Sequence, residues 1–286
     1  MKSLMGGFCE NRPSQYTPSS PICTVRNCLG RGIVSYSNPQ TFNTTSDSHS
    51  YSGTATDKAD YQSAATTGTV KVDASAPTVS ITGCPTGNVL LNSSNNITVA
   101  ASNQASGLVS DPSGTVALDT SSVGSKSKQI TVNDKVGHSA TAKCGYSVIY
   151  NYSGFFQPID NPTNVKPAQN TVWNSAKSGS AIPVKFSLSG NQGLDIFYKG
   201  DKDSKGNAIT YLTFKSVTCL SSSATVDAIE EYSTTTNSGL KYDATADQYN
   251  YTWKTTTQLQ PAASCQQLTV KLNDGTTHVA FFKFTK

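Results

Sequence analysis

Apolar and polar residues alternate in short runs along most of the chain. In the segment 182–188 every second residue is apolar, which is the period of a strand with one buried face. Lys185 and Ser187 are then predicted on the solvent face. Pro183 cannot donate a hydrogen bond to a neighbouring strand, so we expect it at the start of the strand or on a sheet edge.

The same alternation predicts further strands on both sides of this segment. The positions that carry it are Ile97/Val99, Val116/Leu118, Ile130/Val132, Tyr146/Val148/Tyr150, Leu212/Phe214, Val226/Ile229, Tyr249/Tyr251/Trp253, Leu268/Val270/Leu272 and His278/Ala280/Phe282/Phe284. Asn273-Asp274-Gly275 is typical of a hairpin turn. The segment 226–231 hints at a helix but is too short to predict one. The pattern therefore predicts an all-β chain.

A unit of strand, polar turn and strand occurs twice. Thr54-Ala55-Thr56-Asp57-Lys58 is matched by Thr131-Val132-Asn133-Asp134-Lys135, and Ser63-Ala64 by Ser139-Ala140 after one deleted residue. A repeat of this length indicates tandem modules. The segment 72–79 fits a short linker between them, because Pro77 favours extended geometry in the residue before it. We predict a partial module within the poorly resolved N-terminal piece 1–73, a β-sandwich over 74–150 and a larger β-sandwich module over 151–286; the resemblance described below implies that the first two are immunoglobulin-like.

Composition favours an extracellular protein. Charged residues make up 14% of the 286 residues, against about 25% in an average soluble domain, and polar uncharged residues replace them. The net charge of +4 is spread out, which argues against a nucleic-acid partner. The sequence contains no apolar run of about 20 residues, so no membrane-spanning segment is predicted. The first residues lack the apolar core of a signal peptide, which by itself favours the cytoplasm. The cysteines favour an oxidising compartment, so we interpret the chain as part of a longer secreted polypeptide.

Two resemblances to known families support this organisation. The pattern ATDKA…VKVDASAPTVSITG resembles the junction of bacterial immunoglobulin-like repeats. Residues 151–286 resemble the C-terminal module named for its Pro-x-Lys-Phe motif, which occurs in secreted proteins of actinobacteria and their relatives. The matching segments are SGFFQP at 153–158, PVKF at 183–186, GLDIF at 193–197, YDAT at 242–245 with QY at 248–249, and QL at 267–268 followed by DGT at 274–276. The resemblance implies a secreted or surface-displayed β-sandwich array and transfers no active-site residues.

Four of the seven cysteines are candidates for disulfides within modules. Cys84 and Cys144 lie near the first and last strands of one predicted module, and Cys219 and Cys265 lie in the next. Cys265 has the opposite parity to Leu268, so it faces the same core only if a bulge or a strand start intervenes. The remaining cysteines, Cys9, Cys23 and Cys28, leave one thiol over, and their pairing stays open.

Calcium ligation and a polar hairpin tip are the two interpretations of the segment 201–207. Asp201, Asp203 and Asn207 place oxygens as in a calcium loop, but Lys205 stands where that loop needs an oxygen ligand. The polar tip is the favoured interpretation, so no cofactor is predicted and calcium is the alternative. Asp57, Asp73 and Asp134, close to module ends, leave the same alternatives open.

No catalytic group is predicted. His49, His138 and His278 fall in three different modules and lack a nucleophile motif, so each is interpreted as a turn or strand residue. Glu230-Glu231 would point to opposite faces of a strand and is interpreted as a solvated pair.

The aromatic stripe Tyr249, Tyr251 and Trp253 is the only candidate binding surface in the sequence. It would either stack sugars on an exposed face or fill the core, and the core is favoured. We therefore predict a non-enzymatic extracellular or cell-surface array with a structural or adhesive role, whose partners would be extracellular protein or polysaccharide. The alternative is an accessory carbohydrate- or cell-wall-binding module of a larger secreted enzyme.

Overall fold

The structure, a computed structural model, describes residues 33–58, 60–162, 166–167, 171–199, 212–219, 226–228 and 239–286. Every regular secondary-structure element in these residues is a β-strand. The predicted all-β fold class is confirmed. Within the described residues we find no helix of the length and apolar character that crossing a membrane requires.

The chain divides into two compact units that interleave in sequence. Unit 1 comprises Met1–Cys84, Asn96–Ala117 and Lys128–Cys144, and unit 2 comprises Pro85–Asn95, Leu118–Ser127 and Gly145–Lys286. Residues 74–150 therefore contribute to both units. The three-part division at 73/74 and 150/151 stays a prediction.

Unit 1 begins with two strand pairs. Its first four strands are β1 (Ile33–Tyr36), β2 (Ser46–Gly53), β3 (Ala55–Asp57) and β4 (Thr66–Val72). β1 pairs with β3 and β2 with β4, both antiparallel. No described residue from 34 to 76 is buried, so these pairs expose both faces to a large extent.

The next six strands are β5 (Thr78–Thr82), β6 (Asn88–Leu90), β7 (Asn96–Ser102), β8 (Gly114–Ala117), β9 (Gly124–Asn133) and β10 (Ser139–Ile149). In unit 1, β5, β7 and β8 form an antiparallel sheet in that order. Ile97 and Val99 of β7 are buried in alternation, as the sequence predicts. A disulfide joins Cys84, just after β5, to Cys144 of β10, with 5.8 Å between the two Cα atoms. In unit 2, β6 runs parallel to the end of β10.

The remaining strands lie in unit 2. They are β11 (Phe155–Phe156), β12 (Trp173–Lys177), β13 (Ala181–Phe186), β14 (Leu212–Ser216), β15 (Val226–Ala228), β16 (Lys241–Asp243), β17 (Gln248–Lys254), β18 (Cys265–Lys271) and β19 (Thr277–Thr285). One sheet has the order β11-β13-β17-β16 and the other β14-β18-β19-β12-β15. β12 is parallel to both β15 and β19, and the pairs of the four-stranded sheet are antiparallel.

The main core of unit 2 draws on alternate residues of both sheets. Ile182, Val184 and Phe186 of β13 and Leu268 and Val270 of β18 are fully buried in one cluster. Pro183 is the third residue of β13 and pairs with Thr252 of β17, so it does not start the strand; on the other side of β13, β11 pairs only with Lys185 and Phe186. Beyond the strand, the expectation that Ser187 faces solvent is wrong. Its exposed fraction is 4%, because its hydroxyl donates a hydrogen bond to Asp247 Oδ2 at 3.1 Å.

The parity of Cys265 has a simple structural cause. Cys265 is the first residue of β18 and faces away from the main core, into a second small cluster with Trp173 and Phe281. It bonds to Cys219 there, with 5.4 Å between the Cα atoms. The five-stranded sheet thus buries side chains on both faces, and no bulge is needed.

Candidate functional site

The repeated sequence forms the same hairpin twice in unit 1. The amide of Asp57 donates to the carbonyl of Tyr61 at 3.0 Å, and the amide of Asp134 donates to the carbonyl of His138 at 3.0 Å. In each copy the Asp Oδ1 accepts the amide hydrogen of the residue four positions later. The aspartate is therefore the residue that closes the turn, which explains why the repeat keeps it.

Thr45, the residue directly before β2, hydrogen-bonds to the segment that follows β4. The amide of Ala74 donates to Thr45 Oγ1 at 3.0 Å, and the same oxygen lies within hydrogen-bond distance of Ser75 Oγ. The amide of Ser75 donates to Asp73 Oδ1 at 3.0 Å, which forms a tight turn. Residues 73–75 are therefore fixed by hydrogen bonds to defined partners.

The loop that follows β7 also hydrogen-bonds to residues 73–75. Ser106 donates its amide to Asp73 Oδ2 at 3.1 Å. Asn103 Oδ1 accepts the amides of Ala105, Ser106 and Gly107, each at 3.1 Å, so its side-chain orientation is fixed. We call Thr45, residues 73–75, Asn103, Ser106, Asp134 and His138 the first joint.

Two carboxylates and an imidazole converge at the first joint. One ligand atom from each of Asp73, Asp134 and His138 lies within 4.8 Å of the others, and Asp134 is buried. His138 Nδ1 is 2.8 Å from Asp134 Oδ2. Burial raises the pKa of Asp73, but hydrogen bonds from Ser106, Ser75 and Asn103 outweigh this effect and hold the pKa below its usual value. Asp73 is therefore ionised at neutral pH.

The pairing of His138 with Asp134 has the orientation of the His–Asp pair in a Ser-His-Asp triad. Such a triad also needs a hydroxyl or thiol bound to the other ring nitrogen. In the part of the chain that the structure describes, no hydroxyl or thiol hydrogen-bonds to Nε2 of His138. The cluster thus has metal-ligating chemistry rather than that of an activated nucleophile.

A related arrangement occurs in unit 2, where the chain leaves β10. The amide of Tyr150, the residue directly after β10, donates to Asp274 Oδ2 at 2.8 Å in a buried position. Asp274 Oδ1 accepts from the amide of Thr276 at 2.8 Å and from its hydroxyl at 2.7 Å. Asp274 lies in the turn between β18 and β19, so it fulfils the same role as Asp134.

An aromatic stack covers this second arrangement. The rings of Tyr152 and His278 are 3.5 Å apart between centroids and nearly parallel. Burial lowers the pKa of His278, although the Asp274 charge opposes this, and burial raises the pKa of Tyr152. We call Tyr150, Tyr152, Asp274, Thr276 and His278 the second joint.

The aromatic stripe proposed as a binding surface is part of the core. Tyr249 is 0% exposed and Trp253 is 4% exposed, and Tyr251 is partly buried against the same cluster. Trp253 stacks on Phe214 with ring centroids 4.0 Å apart. Of the two interpretations left open by the sequence, the structure therefore has the core packing and not the exposed stacking face.

Several residues singled out in the sequence lie outside the described residues. They are the calcium candidates Asp201, Asp203 and Asn207, the acidic pair Glu230-Glu231, and the cysteines Cys9, Cys23 and Cys28. His49 is described and binds the carbonyl of Thr44 at 2.7 Å. The structure brings Asp73 and Asp134 together but not Asp57.

Sequence reasoning missed Asn103, Ser106 and the roles of His138, Tyr150 and Asp274. A linear signal was present, because Asp134-x3-His138 and Asp274-x3-His278 have the same spacing in the last hairpins of two predicted modules. Asn103 and Ser106 carry no such signal. They reach the joint only because the loop after β7 folds back to residues 73–75.

No family model and no curated protein matches this chain. It is similar to the protocadherin GammaB4 extracellular domain, with 11% identity and a TM-score of 0.22, over 83% of this chain and 38% of that chain. It is also similar to a chain from a study of host cell surface retention of a 1.5-MDa bacterial ice-binding adhesin, with 16% identity and a TM-score of 0.22, over 82% of this chain and 74% of that one. The chain thus spans about 38% of the protocadherin chain. Similarity at this level carries no argument about function.

Proposed function

We propose that the chain is a non-enzymatic extracellular β-sandwich array that spaces or presents other segments, in a structural or adhesive role. The observation that carries the proposal is the hydrogen bonding of both joints. At the first joint Ala74 binds Thr45 on one side, and Asp73 binds Ser106 on the other. A segment whose residues hydrogen-bond to protein groups before and after it in sequence suits a spacer that keeps a defined geometry. In a flexible linker the backbone amides would instead hydrogen-bond to water.

The chain between β10 and β11 is tied in the same manner. Ile149 accepts the amide of Leu91 at 2.8 Å, Tyr150 donates to Asp274, and Asn151 accepts the hydroxyl of Ser189 at 3.2 Å. Leu91 and Val123 also pack against the main core cluster of unit 2. This stretch therefore has both polar and apolar attachments within unit 2, which favours an ordered conformation of the chain between β10 and β11.

The two disulfides support an extracellular location, because such bonds persist in oxidising compartments. The alternative of an accessory carbohydrate-binding module loses its main support, since the aromatic stripe of β17 is buried. The Pro-x-Lys-Phe resemblance stays a prediction and agrees with a secreted array.

Hydrogen exchange of individual amides tests the stiffness of the joints. We expect the amides of Ala74, Ser106 and Tyr150 to exchange far more slowly than unstructured peptide amides, because each has a protein acceptor. Exchange at the unprotected rate at these three amides would contradict a spacer. Retention of the full oxidised chain on a panel of insoluble polysaccharides and cell walls would favour the binding-module alternative instead.

A further inference from the structure

The first joint has the ligand set of a metal site that the spacer function does not require. We propose that Asp73, Asp134 and His138 bind a divalent transition-metal ion of the zinc class, directly after strand β4. Metal binding at the first joint does not depend on the proposed spacer function.

The spacing of the three ligand atoms is close to what such an ion needs. Zinc binds imidazole nitrogen and carboxylate oxygen at about 2.0–2.2 Å, so ligand atoms around one tetrahedral ion lie roughly 3.3–3.6 Å apart. The atoms of Asp73, Asp134 and His138 all lie within 4.8 Å of one another. Asp134 Oδ2 and His138 Nδ1 are 2.8 Å apart, so an ion between them would replace their hydrogen bond and the pair would have to open slightly, while the Asp73 carboxylate moves within the same short range.

The hydrogen bonds of the joint fix the orientation of both carboxylates. Asp134 Oδ1 accepts the amides of Val136 at 3.0 Å and His138 at 2.8 Å, which turns Oδ2 towards the imidazole. Asp73 Oδ1 accepts the amide of Ser75, and Asp73 Oδ2 accepts the amide of Ser106 and would keep its second lone pair for the ion. Each carboxylate thus has one oxygen engaged by its own turn, so we expect each to bind the ion through its other oxygen.

An independent feature of Ser106 also points to a missing ligand. Less than 1 Å² of its Oγ is exposed, and this oxygen has no hydrogen-bond partner in the structure. The amide of the same residue donates to Asp73 Oδ2 at 3.1 Å, so the hydroxyl belongs to a residue in direct contact with that carboxylate. Buried hydroxyl groups are almost always partnered, and an exception suggests an ion or a bound water. Ser106 Oγ is thus placed to be a fourth ligand, directly or through water.

The charges of the joint also favour a cation. Two carboxylates at this distance repel each other, and one of them is buried. Within the described residues, no Lys or Arg side chain forms an ion pair with Asp73 or Asp134. A divalent ion would compensate both negative charges at once.

The ligand types select a transition metal over calcium. Calcium takes six to eight oxygen ligands. This joint offers an imidazole nitrogen and two carboxylates oriented to give one oxygen each, and Asn103 Oδ1 is already occupied by three amides. Imidazole with carboxylate suits zinc and its neighbours in the first transition row.

Titration of the full oxidised chain with Zn²⁺ and, separately, with Ca²⁺ tests the proposal. Free thiols are alkylated first, so that cysteine cannot bind the metal. We expect one Zn²⁺ per chain, no competition from Ca²⁺, and weakening by roughly tenfold or more in His138→Gln and in Asp73→Asn. Asp73→Asn keeps an oxygen for the amide of Ser75 and lies in a half-buried position, so this variant should fold.

His49→Gln is the matched control, because His49 lies in the same unit and binds only Thr44 side-chain and backbone oxygens. It should bind Zn²⁺ as the unaltered chain does. Absorption of bound Co²⁺ gives a second measurement, since a tetrahedral site of nitrogen and oxygen ligands has strong visible bands without thiolate charge transfer. Equal Zn²⁺ affinity in His138→Gln and the unaltered chain, or Ca²⁺ displacing Zn²⁺, would overturn the assignment.

Discussion

The two joints use the same hairpin residue for different purposes. In each joint an aspartate of a hairpin lies next to the residue that directly follows a strand. Asp134 lies next to Asp73, which follows β4, and Asp274 lies next to Tyr150, which follows β10. The first joint thereby places a carboxylate beside Asp134, while the second places a backbone amide on Asp274. The identity of one incoming residue therefore decides whether the aspartate gains a like charge or a hydrogen-bond donor.

The surroundings of the two joints differ accordingly. His138 turns its Nδ1 to Asp134, whereas His278 stacks on Tyr152 and binds Thr276 Oγ1 at 3.0 Å. The first joint is polar and in part open to solvent, but the second is attached to the main core of unit 2. Its histidine is therefore a packing residue, and the first joint's histidine is a ligand candidate.

The largest effect is expected from Asp274→Ala. The change removes the acceptor of the buried Tyr150 amide and of both Thr276 groups, so we expect about 3 kcal/mol loss in the free energy of unfolding. Both tryptophans, Trp173 and Trp253, lie in unit 2, so urea denaturation followed by fluorescence measures this unit.

Asp134→Ala is the matched variant in the first joint. It should change the fluorescence-detected transition by no more than about 0.5 kcal/mol, because its hydrogen-bond partners belong to unit 1. Equal losses in the two variants would show that the joints are not independent.

The second joint should also make unit 2 sensitive to acid. Burial lowers the pKa of His278 below its usual value near 6.5, so protonation favours the unfolded chain. The stabilisation is complete above the unfolded pKa and is lost as the pH falls from about 6.5 towards the folded pKa. We expect the fluorescence-detected free energy of unfolding to decrease between about pH 7.5 and 5.5.

His278→Gln tests the origin of that slope, since glutamine does not titrate. The variant should lose most of the pH dependence over this range, and His138→Gln should retain it. A slope that persists in His278→Gln would assign the effect to another group.

The hydroxyl of Tyr152 should contribute nothing to stability. It is buried with no hydrogen-bond partner, so Tyr152→Phe should leave the free energy of unfolding unchanged or raise it by up to about 1 kcal/mol. Tyr249→Phe is the opposite case, because the Tyr249 hydroxyl accepts the amide of Gln192. We expect it to lose about 1 kcal/mol by the same urea assay. A loss of similar size in Tyr152→Phe would reveal a partner for its hydroxyl.

The sequence predicted the strands better than the sites for a physical reason. Alternation shows that Tyr249, Tyr251 and Trp253 share a face, but it cannot show whether that face meets the core or solvent. Alternation assigned Ser187 to the solvent face, and it could not reveal the hydrogen bond to Asp247, which lies far along the chain. The sequence placed Asp73 near a predicted module end, but its approach to Asp134 depends on the loop that carries Asn103 and Ser106.

The smallest effect is expected from Thr45→Ala in the first joint. Thr45 Oγ1 accepts the amide of Ala74 at an exposed position, so its loss should leave the overall free energy of unfolding within about 0.5 kcal/mol. Hydrogen exchange at Ala74 should nevertheless accelerate by roughly fivefold, which corresponds to one net hydrogen bond of about 1 kcal/mol. The neighbouring Thr44→Ala is the control, because Thr44 Oγ1 contacts His49 and not residues 73–75. Faster exchange of the Tyr150 amide in the Thr45 variant would mean that the two joints open together. That result would contradict their treatment as independent structural elements.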